Sequence, residues 1–247
     1  MWNIEYFDEE KIKVLFRKYP NELLGLKVRI SKDIVGDLGL HPLKRSIEIA
    51  NLLKCSIAVH TTNPCSDTSE LVKLFRKGDI FAHVYHGTGS TIIGNDNHVL
   101  PEVKDARKRG VIFDAANGKN HFSFKTAESA LDDGFAPDII SSDFSNLTMF
   151  MEPVFGLPWL MSKYLLLGMQ LNDIVAACTS TPARLIGMDN EIGTLSPGTC
   201  ADVAILKPVN HKCDFRDSFN EIRVGEKLLL PQLTIRAGHI VFRQLNF

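Results

Sequence analysis

The sequence predicts an α/β fold with a parallel sheet. Four apolar, partly β-branched runs each end in a side chain that can bind a metal ion, and helical stretches separate these runs along the chain. The runs are LLGLK ending at Lys27, IAVH ending at His60, IFAH ending at His83 and IISSD ending at Asp143. Because α/β enzymes build their active sites at the carboxyl ends of parallel strands, we expect these four side chains to lie together.

Helices and strands alternate along the first three quarters of the chain. Apolar residues at helical spacing, bounded by Pro, Gly and Asn, predict the helices. In chain order they are 9–19, 42–54, 69–77, 101–109, 125–131, 159–167, 171–178 and 182–186. The predicted strands between them are 23–30, 57–60, 80–83, 111–115 and 138–142. This order predicts five parallel strands connected by helices.

The pattern changes near Gly193. The segments GTLSPGTCADVAIL and LTIRAGHIVFR alternate apolar and polar residues between Gly and Pro turns, which predicts short strands. We therefore expect two regions. Residues 1–190 form the βα region, and residues 191–247 form a small β appendage with its connecting segments.

Composition excludes several classes of protein. The 247 residues carry 28 Lys and Arg against 29 Asp and Glu, so no basic surplus favours nucleic acid or a membrane surface. The most apolar stretch, 149–169, contains Glu152 and Lys163, which are costly in hydrocarbon. Five scattered cysteines fit a reducing compartment, and the acidic N-terminus is not typical of a signal peptide. We expect a cytoplasmic protein with a small-molecule substrate and neither nucleic acid nor membrane as a partner.

Several segments resemble the amidohydrolase superfamily, and within it the dihydroorotase-like amidohydrolases and deacetylases. The resemblance runs from about Glu9 to the C-terminus. The segments that carry it are GLKVRISKDIVGDLGLHPLK, AVHTTNP, AHVYHGTGSTI, VIFDAANGKNHFSF, IISSDF, STPARLIGMDNEIGTLSPGTCADVAIL and TIRAGHIVF. It implies a (β/α)8 TIM-barrel metallohydrolase with a small β-sandwich. A closed barrel typically takes about 250 residues by itself, so the five predicted strands correspond to barrel strands four to eight, with part of the sandwich.

The resemblance also implies a metal site. Lys27 takes the position of the barrel lysine that carbon dioxide converts into a carbamate bridging two metal ions. His60 and His83 match the histidine ligands of the next two strands, and Asp143 matches the last-strand aspartate that binds metal and acts as the catalytic general base. Imidazole and carboxylate ligands suit zinc. We therefore expect one or two divalent ions, most simply zinc, with carbon dioxide held as the carbamate of Lys27.

One element of the family is absent from the sequence. Members open with a first-strand His-x-His pair, whereas the eight histidines here contain no such spacing and the first of them is His41. The matching residues provide a complete protein ligand set for only one of the family's two metals. We therefore expect an N-terminally incomplete chain, whose protein partner is a complementing N-terminal segment or another copy of itself in a homo-oligomer.

Four residues on the expected active-site face are candidates for binding substrate: Arg29, His86, Asn117 and His121. Arg29 could hold a substrate carboxylate with two hydrogen bonds, or could pair with a neighbouring acid. The other three could instead maintain loop structure. Asp114 also ends a strand, but we expect it to be a structural or solvated carboxylate.

Three functions fit these residues. The first is a metal-dependent hydrolase that cleaves a cyclic amide, N-acyl or acyl-ester bond with water whose pKa the metal lowers toward about 7. The second is an inactive relative or accessory subunit. The third is a non-catalytic protein that binds a metal or ligand at Lys27, His60 and His83. Each ligand also has a structural alternative, because strand-end lysines snorkel, histidines form hydrogen bonds and aspartates cap turns.

Overall fold

A computed structural model describes residues 7–245 of the chain. The outermost residues of both predicted regions, 1–6 and 246–247, lie outside the described residues. The described part contains a four-stranded parallel sheet and a separate three-stranded antiparallel sheet. Each sheet falls inside one of the two predicted regions, while the boundary between the regions near residue 190 stays a prediction.

The parallel sheet comprises the first four strands and has the order β1-β2-β3-β4. Its strands are β1 Gly25–Arg29, β2 Ser56–His60, β3 Ile80–Ala82 and β4 Ile112–Asp114. The helices are α1 Glu9–Lys18, α2 Lys32–Val35, α3 His41–Leu53, α4 Thr68–Leu71, α5 Pro101–Lys108, α6 Phe124–Asp132, α7 Leu157–Leu166, α8 Leu171–Cys178 and α9 Ser180–Leu185. Helices therefore connect parallel strands, as the sequence predicts.

The register of the parallel sheet places the strand ends in one row. Arg29 pairs with His60, His60 pairs with Ala82, and Ala82 pairs with Asp114. Since His83 directly follows Ala82, the ends of β2, β3 and β4 lie side by side at one edge. This confirms the sequence-based expectation that these strands are parallel and end at a common edge.

The predicted fifth strand, 138–142, is not a regular strand. Its residues form an isolated parallel bridge between Asp114 and Ile139, and the Ala115 and Asn117 amides donate to the carbonyls of Ile139 and Ser141. Between those two amides, Ala116 has a φ of +38°, which takes the backbone out of the extended region and interrupts the ladder. The segment still lies beside β4, so its end reaches the same edge.

The predicted helix at 69–77 is shorter than expected. Helix α4 ends at Leu71 and continues only as a 3₁₀ turn over residues 72–74. The Arg76 amide donates to the buried carboxylate of Asp79 at 2.8 Å, and the Arg76 guanidinium pairs with the same carboxylate at 2.7 Å. Because a side chain satisfies this backbone donor, the chain leaves the helix before Arg76.

The antiparallel sheet differs from the short strands predicted for the C-terminal region. It contains two long strands, β5 Val203–Arg216 and β6 Ile222–Arg236, followed by β7 His239–Arg243. Residues 193–202 form turns instead of a strand. Helix α7 packs against β6, where the Leu229 amide donates to the Ser162 hydroxyl at 2.9 Å. The sheet is thereby attached to the helical layer.

The core lies between the parallel sheet and its helices. Phe75, Phe81, Phe113 and Phe135 form a row of aromatic contacts with ring centroids 5.0–5.6 Å apart, and all four side chains are buried. Full burial of a side chain of this size contributes about 1.5–3 kcal/mol. This packing fixes the strands whose ends carry the candidate site. Among residues 7–245, no helix is long and apolar enough to cross a membrane.

Candidate metal centre

Three histidines converge at the carboxyl edge of the parallel sheet. His60 ends β2, His83 follows β3, and His121 lies in the loop between β4 and α6. One ligand nitrogen from each ring can be chosen so that all three lie within 4.8 Å of one another. The ring centroids are 4.2–4.8 Å apart. The end of β2, the residue after β3 and the loop after β4 thus bring three imidazoles close together.

His83 occupies the centre of this cluster and is held in one orientation. Its Nδ1 lies 2.6 Å from the Ala116 carbonyl oxygen, so Nδ1–H must donate and the Nε2 lone pair faces the cluster. His60 Nδ1 lies 2.9 Å from that Nε2 and donates to it, which leaves the buried Nε2 of His60 without a hydrogen-bond partner within residues 7–245. His83 also has a φ of +70°. Such strain typically costs about 1–3 kcal/mol and is common at functional sites.

Burial keeps all three imidazoles neutral. It lowers the pKa of His60 to about 3, that of His83 to about 2 and that of His121 to about 4. The positive charge of Lys27 lowers all three pKa values further, Arg29 does so for His60 and His121, and neighbouring imidazoles do so for His60 and His83. Neutral imidazole is the form that binds metal. The three rings are therefore in the protonation state that can bind a metal ion, while the positive charges of Lys27 and Arg29 disfavour any cation there.

Asp143 lies at the rim of the cluster. Its Oδ2 is 4.0 Å from His121 Nε2, its side chain is 48% exposed, and its φ is +47°. Partial burial raises the pKa of this carboxyl group, whereas the nearby charge of Lys27 lowers it. Asp143 is thus the exposed acid of the site, with access both to the histidines and to solvent.

Lys27 faces the same site from β1. Partial burial of its ammonium group lowers the pKa of Lys27, although the residue is still in contact with solvent. The negative charges of Asp143 and Asp114 raise this pKa and so oppose the effect of burial. Among residues 7–245, no acid lies within 4 Å of its amine. A lysine with a lowered pKa and no close acid holds more of the neutral amine, which is the form that reacts with carbon dioxide.

Asp114 has the structural role expected of it. It accepts hydrogen bonds from the Ser141 hydroxyl at 2.8 Å and from the Ala116 amide at 3.0 Å. Burial raises the pKa of its carboxyl group to about 6, and the hydrogen bonds and Lys27 oppose that effect. These contacts attach the irregular fifth segment to β4, two residues before Asp143.

The candidate substrate-binding residue Arg29 pairs with its own neighbours. Its Nε donates to the Ser31 hydroxyl at 3.0 Å, and its guanidinium lies 3.7 Å from the Asp33 carboxylate. Both charged partners are about half exposed, so this ion pair contributes little to stability. In this conformation Arg29 pairs with a neighbouring acid, which is one of the two alternatives from the sequence. Contact between Arg29 and substrate stays a prediction.

His86 and Asn117 are buried behind the cluster. The Asn117 Oδ1 accepts a hydrogen bond from the Tyr164 hydroxyl at 3.0 Å, while its amide nitrogen has no partner among the described residues. Neither ring nitrogen of His86 makes a hydrogen bond of normal geometry within residues 7–245, although the Thr88 backbone lies close enough to affect its pKa. Burial lowers that pKa to about 4. Substrate contact by either residue stays a prediction.

His121, which the sequence analysis proposes for substrate contact or loop structure, lies among the candidate metal ligands, and its contact with substrate stays a prediction. It belongs to the histidine cluster, and its Nδ1 lies 2.9 Å from the Thr62 hydroxyl. His121 does not directly follow a strand in the sequence, so the strand pattern does not predict that it joins the cluster. No local sequence pattern predicts it, because the contact with Thr62 joins residues 59 positions apart in the chain.

Gly118 allows the cluster to form. A Cβ atom at this position would lie 2.6 Å from Asp143 Oδ2 and 2.7 Å from His121 Cδ2. Its φ of +53° is also one that L-residues rarely adopt. A glycine is therefore needed where the backbone passes between these two side chains.

The donors fit a divalent metal. They comprise three neutral imidazoles, one of which has a buried nitrogen without a partner, and a carboxylate and a lysine at the rim. Imidazole and carboxylate together are the usual ligands of catalytic zinc and similar ions. His60, His83 and His121 could hold such an ion, with Asp143 beside it.

Comparison with known proteins agrees with this geometry. The sequence profile of the Amidohydrolase family matches residues 37–240. The chain is 30% identical over 233 residues to the deacetylase Atu3266 of Agrobacterium fabrum, covering 94% of this chain and 57% of the deacetylase. The chain therefore spans little more than half the length of this curated relative.

Two solved structures are similar over nearly the whole chain. A crystal structure of an adenine deaminase superposes with a TM-score of 0.92 at 26% identity, and one of a dihydroorotase with a TM-score of 0.88 at 29% identity. Each alignment covers 98% of this chain, and it covers 66% of the deaminase and 63% of the dihydroorotase. With the parallel βα units, these likenesses identify a TIM-barrel-like α/β fold. The chain belongs to the amidohydrolase family.

Proposed function

We propose that this chain provides the active site of a metal-dependent hydrolase that cleaves a cyclic amide, an N-acyl group or an acyl ester of a small molecule. The convergence of His60, His83 and His121 within 4.8 Å carries this proposal. Two of the relatives support the bond class, since they are named a deacetylase and a dihydroorotase. We propose zinc as the metal because the donors are mainly imidazole.

His60, His83 and His121 would hold the divalent ion, which would supply water of lowered pKa and polarise the bond to be cleaved. We propose Asp143 as the general base. Its carboxylate is exposed, lies 4.0 Å from His121, and can accept a proton from water and later deliver it to the leaving nitrogen or oxygen. The Ala116 carbonyl holds the His83 ring in the tautomer that turns Nε2 toward the site.

Lys27 is proposed to carry a carbamate. Its neutral amine would attack the carbon of carbon dioxide, form a C–N bond and release one proton to solvent. The product has two oxygens and a negative charge in place of an ammonium group that cannot bind metal. The lowered pKa of Lys27 and its position facing the histidines support this role.

The test measures metal content and hydrolysis in the 247-residue protein. We expect a bound divalent ion, and turnover of N-acetyl or cyclic-amide compounds that a chelator removes and added metal restores. His83→Asn should lose both properties, whereas His98→Asn should keep them, because His98 is an exposed residue beside Asp133. Metal bound without hydrolysis would favour a non-catalytic metal-binding protein. Absence of metal from the parent protein would contradict the proposal.

A further inference from the structure

The tip of the β5–β6 hairpin lies against the loop that carries His121. Residues 217–221 connect these two strands of the antiparallel sheet, and they reach across to the parallel-sheet region. The Phe219 ring packs so closely on Gly87 that a Cβ atom on Gly87 would lie 2.6 Å from it. The C-terminal sheet therefore contacts the edge that holds the metal centre.

Ser218 makes three hydrogen bonds that bracket His121. Its hydroxyl donates to the Lys119 carbonyl at 2.9 Å and accepts from the Phe122 amide at 3.1 Å. Its own amide donates to the Phe122 carbonyl at 3.0 Å. One side chain thus fixes the backbone on both sides of the histidine, in a loop that has no regular secondary structure.

Asp217 holds the hairpin tip in the shape that this contact requires. Its buried carboxylate accepts from the amides of Phe219 and Glu221 within the tip, and from the Phe124 amide at the start of α6. A single carboxylate therefore joins the turn to the helix that follows His121. Loss of this group would leave three buried or half-buried backbone donors without a partner.

Lys163 supports the same junction from α7. Its buried ammonium group donates to the Arg216 carbonyl at 3.1 Å and lies 4.6 Å from the Phe122 ring centroid. It thus contacts both the residue before Asp217 and the residue after His121. The hairpin, α7 and the His121 loop form one packed unit.

We infer that Ser218 is a positioning residue for the metal centre, acting from the C-terminal sheet through the His121 loop. This inference rests on the proposed metal-dependent function and adds to it a specific role for the β5–β6 hairpin. With the hydroxyl present, His121 stays at the distance from His60 and His83 at which three imidazoles can share one ion. Without it, His121 samples other positions and the site binds metal less tightly.

The experiment compares Ser218→Ala with Ser218→Thr, which keeps the hydroxyl. Ser196→Ala is the matched control, because Ser196 is exposed and its hydroxyl bonds only the neighbouring Thr194 hydroxyl. Cobalt(II) serves as the metal probe, read by its visible absorption. Ser218→Ala should raise the Kd for cobalt about tenfold, as loss of outer-shell contacts typically does, and should change the absorption bands. Ser218→Thr and Ser196→Ala should resemble the parent.

A second readout needs no metal. Long-range ¹H–¹⁵N spectra of the metal-free protein report the position and tautomer of each imidazole. Ser218→Ala should shift or broaden the His121 signals and leave those of His60 and His83 nearly unchanged. Unchanged His121 signals, or equal changes in all three histidines, would overturn the inference. If the parent binds no cobalt, the proposed function fails while the His121 signals still decide the role of Ser218.

Discussion

Substitution of Gly118 by Ala tests the packing at the metal centre most sharply. The added Cβ would lie 2.6 Å from Asp143 Oδ2 and 2.7 Å from His121 Cδ2, closer than real Cβ contacts. Both side chains must therefore move away from the positions that complete the site. Gly134→Ala is a matched control, because Gly134 also has a positive φ, of +71°, but no atom of the described residues outside its own neighbours lies within 4 Å of its Cβ position.

The two substitutions share a backbone cost and differ in the clash. An L-residue in the left-handed region costs about 1–2 kcal/mol, and this applies to both glycines. At Gly118, two side chains must also leave their rotamers, at about 0.5–1.5 kcal/mol each. We therefore expect a loss of about 2–5 kcal/mol in the free energy of unfolding for Gly118→Ala, against about 1–2 kcal/mol for Gly134→Ala.

Urea unfolding of the metal-free variants measures these losses, and a chelator competition measures their affinity for zinc. Gly118→Ala should weaken zinc binding at least about tenfold, because it displaces one ligand and the neighbouring acid. Gly134→Ala should bind zinc like the parent. Equal stability losses in both variants, together with unchanged zinc affinity, would refute the geometry described for His121 and Asp143.

The remaining predictions concern the acid, the lysine and the histidines. Asp143→Asn should lower kcat by at least about 100-fold with little change in stability, while the surface variant Asp105→Asn stays active; normal turnover in Asp143→Asn would exclude it as the base. Lys27→Ala should abolish bicarbonate-dependent metal binding, whereas Lys108→Ala, at an exposed position, should retain it. Unchanged metal binding in Lys27→Ala would show that Lys27 is not part of the site. Burial lowers the pKa of His83 from 6.5 to about 2, so below pH 6.5 the unfolded state binds a proton at His83 that the folded state does not. The free energy of unfolding of the metal-free protein should therefore be highest above that pH and fall as the pH drops, and urea titrations that show no such fall would contradict this.

Much of the fold follows from local patterns in the sequence. The β-branched runs before His60 and His83 are strands, and the helical stretches between them are helices, because apolar periodicity reflects which face is buried. Local patterns fail to predict secondary structure where a side chain takes the place of a backbone hydrogen-bond partner, or where the backbone leaves the extended region. Asp79 ends the helical region early by accepting the Arg76 amide, and Ala116 interrupts the fifth strand through its positive φ.

The candidate site likewise combines residues that local sequence patterns predict with one that they do not. His60 and His83 follow recognisable strands, and their convergence is a direct consequence of parallel register. His121 lies in a loop whose position depends on Thr62, on Ser218 and on the close approach at Gly118. These contacts join residues far apart in the chain, so no local pattern reports them.

X-ray absorption of the zinc-loaded protein tests the central claim most directly. Multiple scattering from imidazole rings counts the histidines bound to the metal. We expect three histidine ligands in the parent and two in His121→Asn, because His60, His83 and His121 converge on one point. Two ligands in both proteins would show that His121 does not bind the metal. Absence of imidazole scattering from the parent would contradict the three-histidine centre itself.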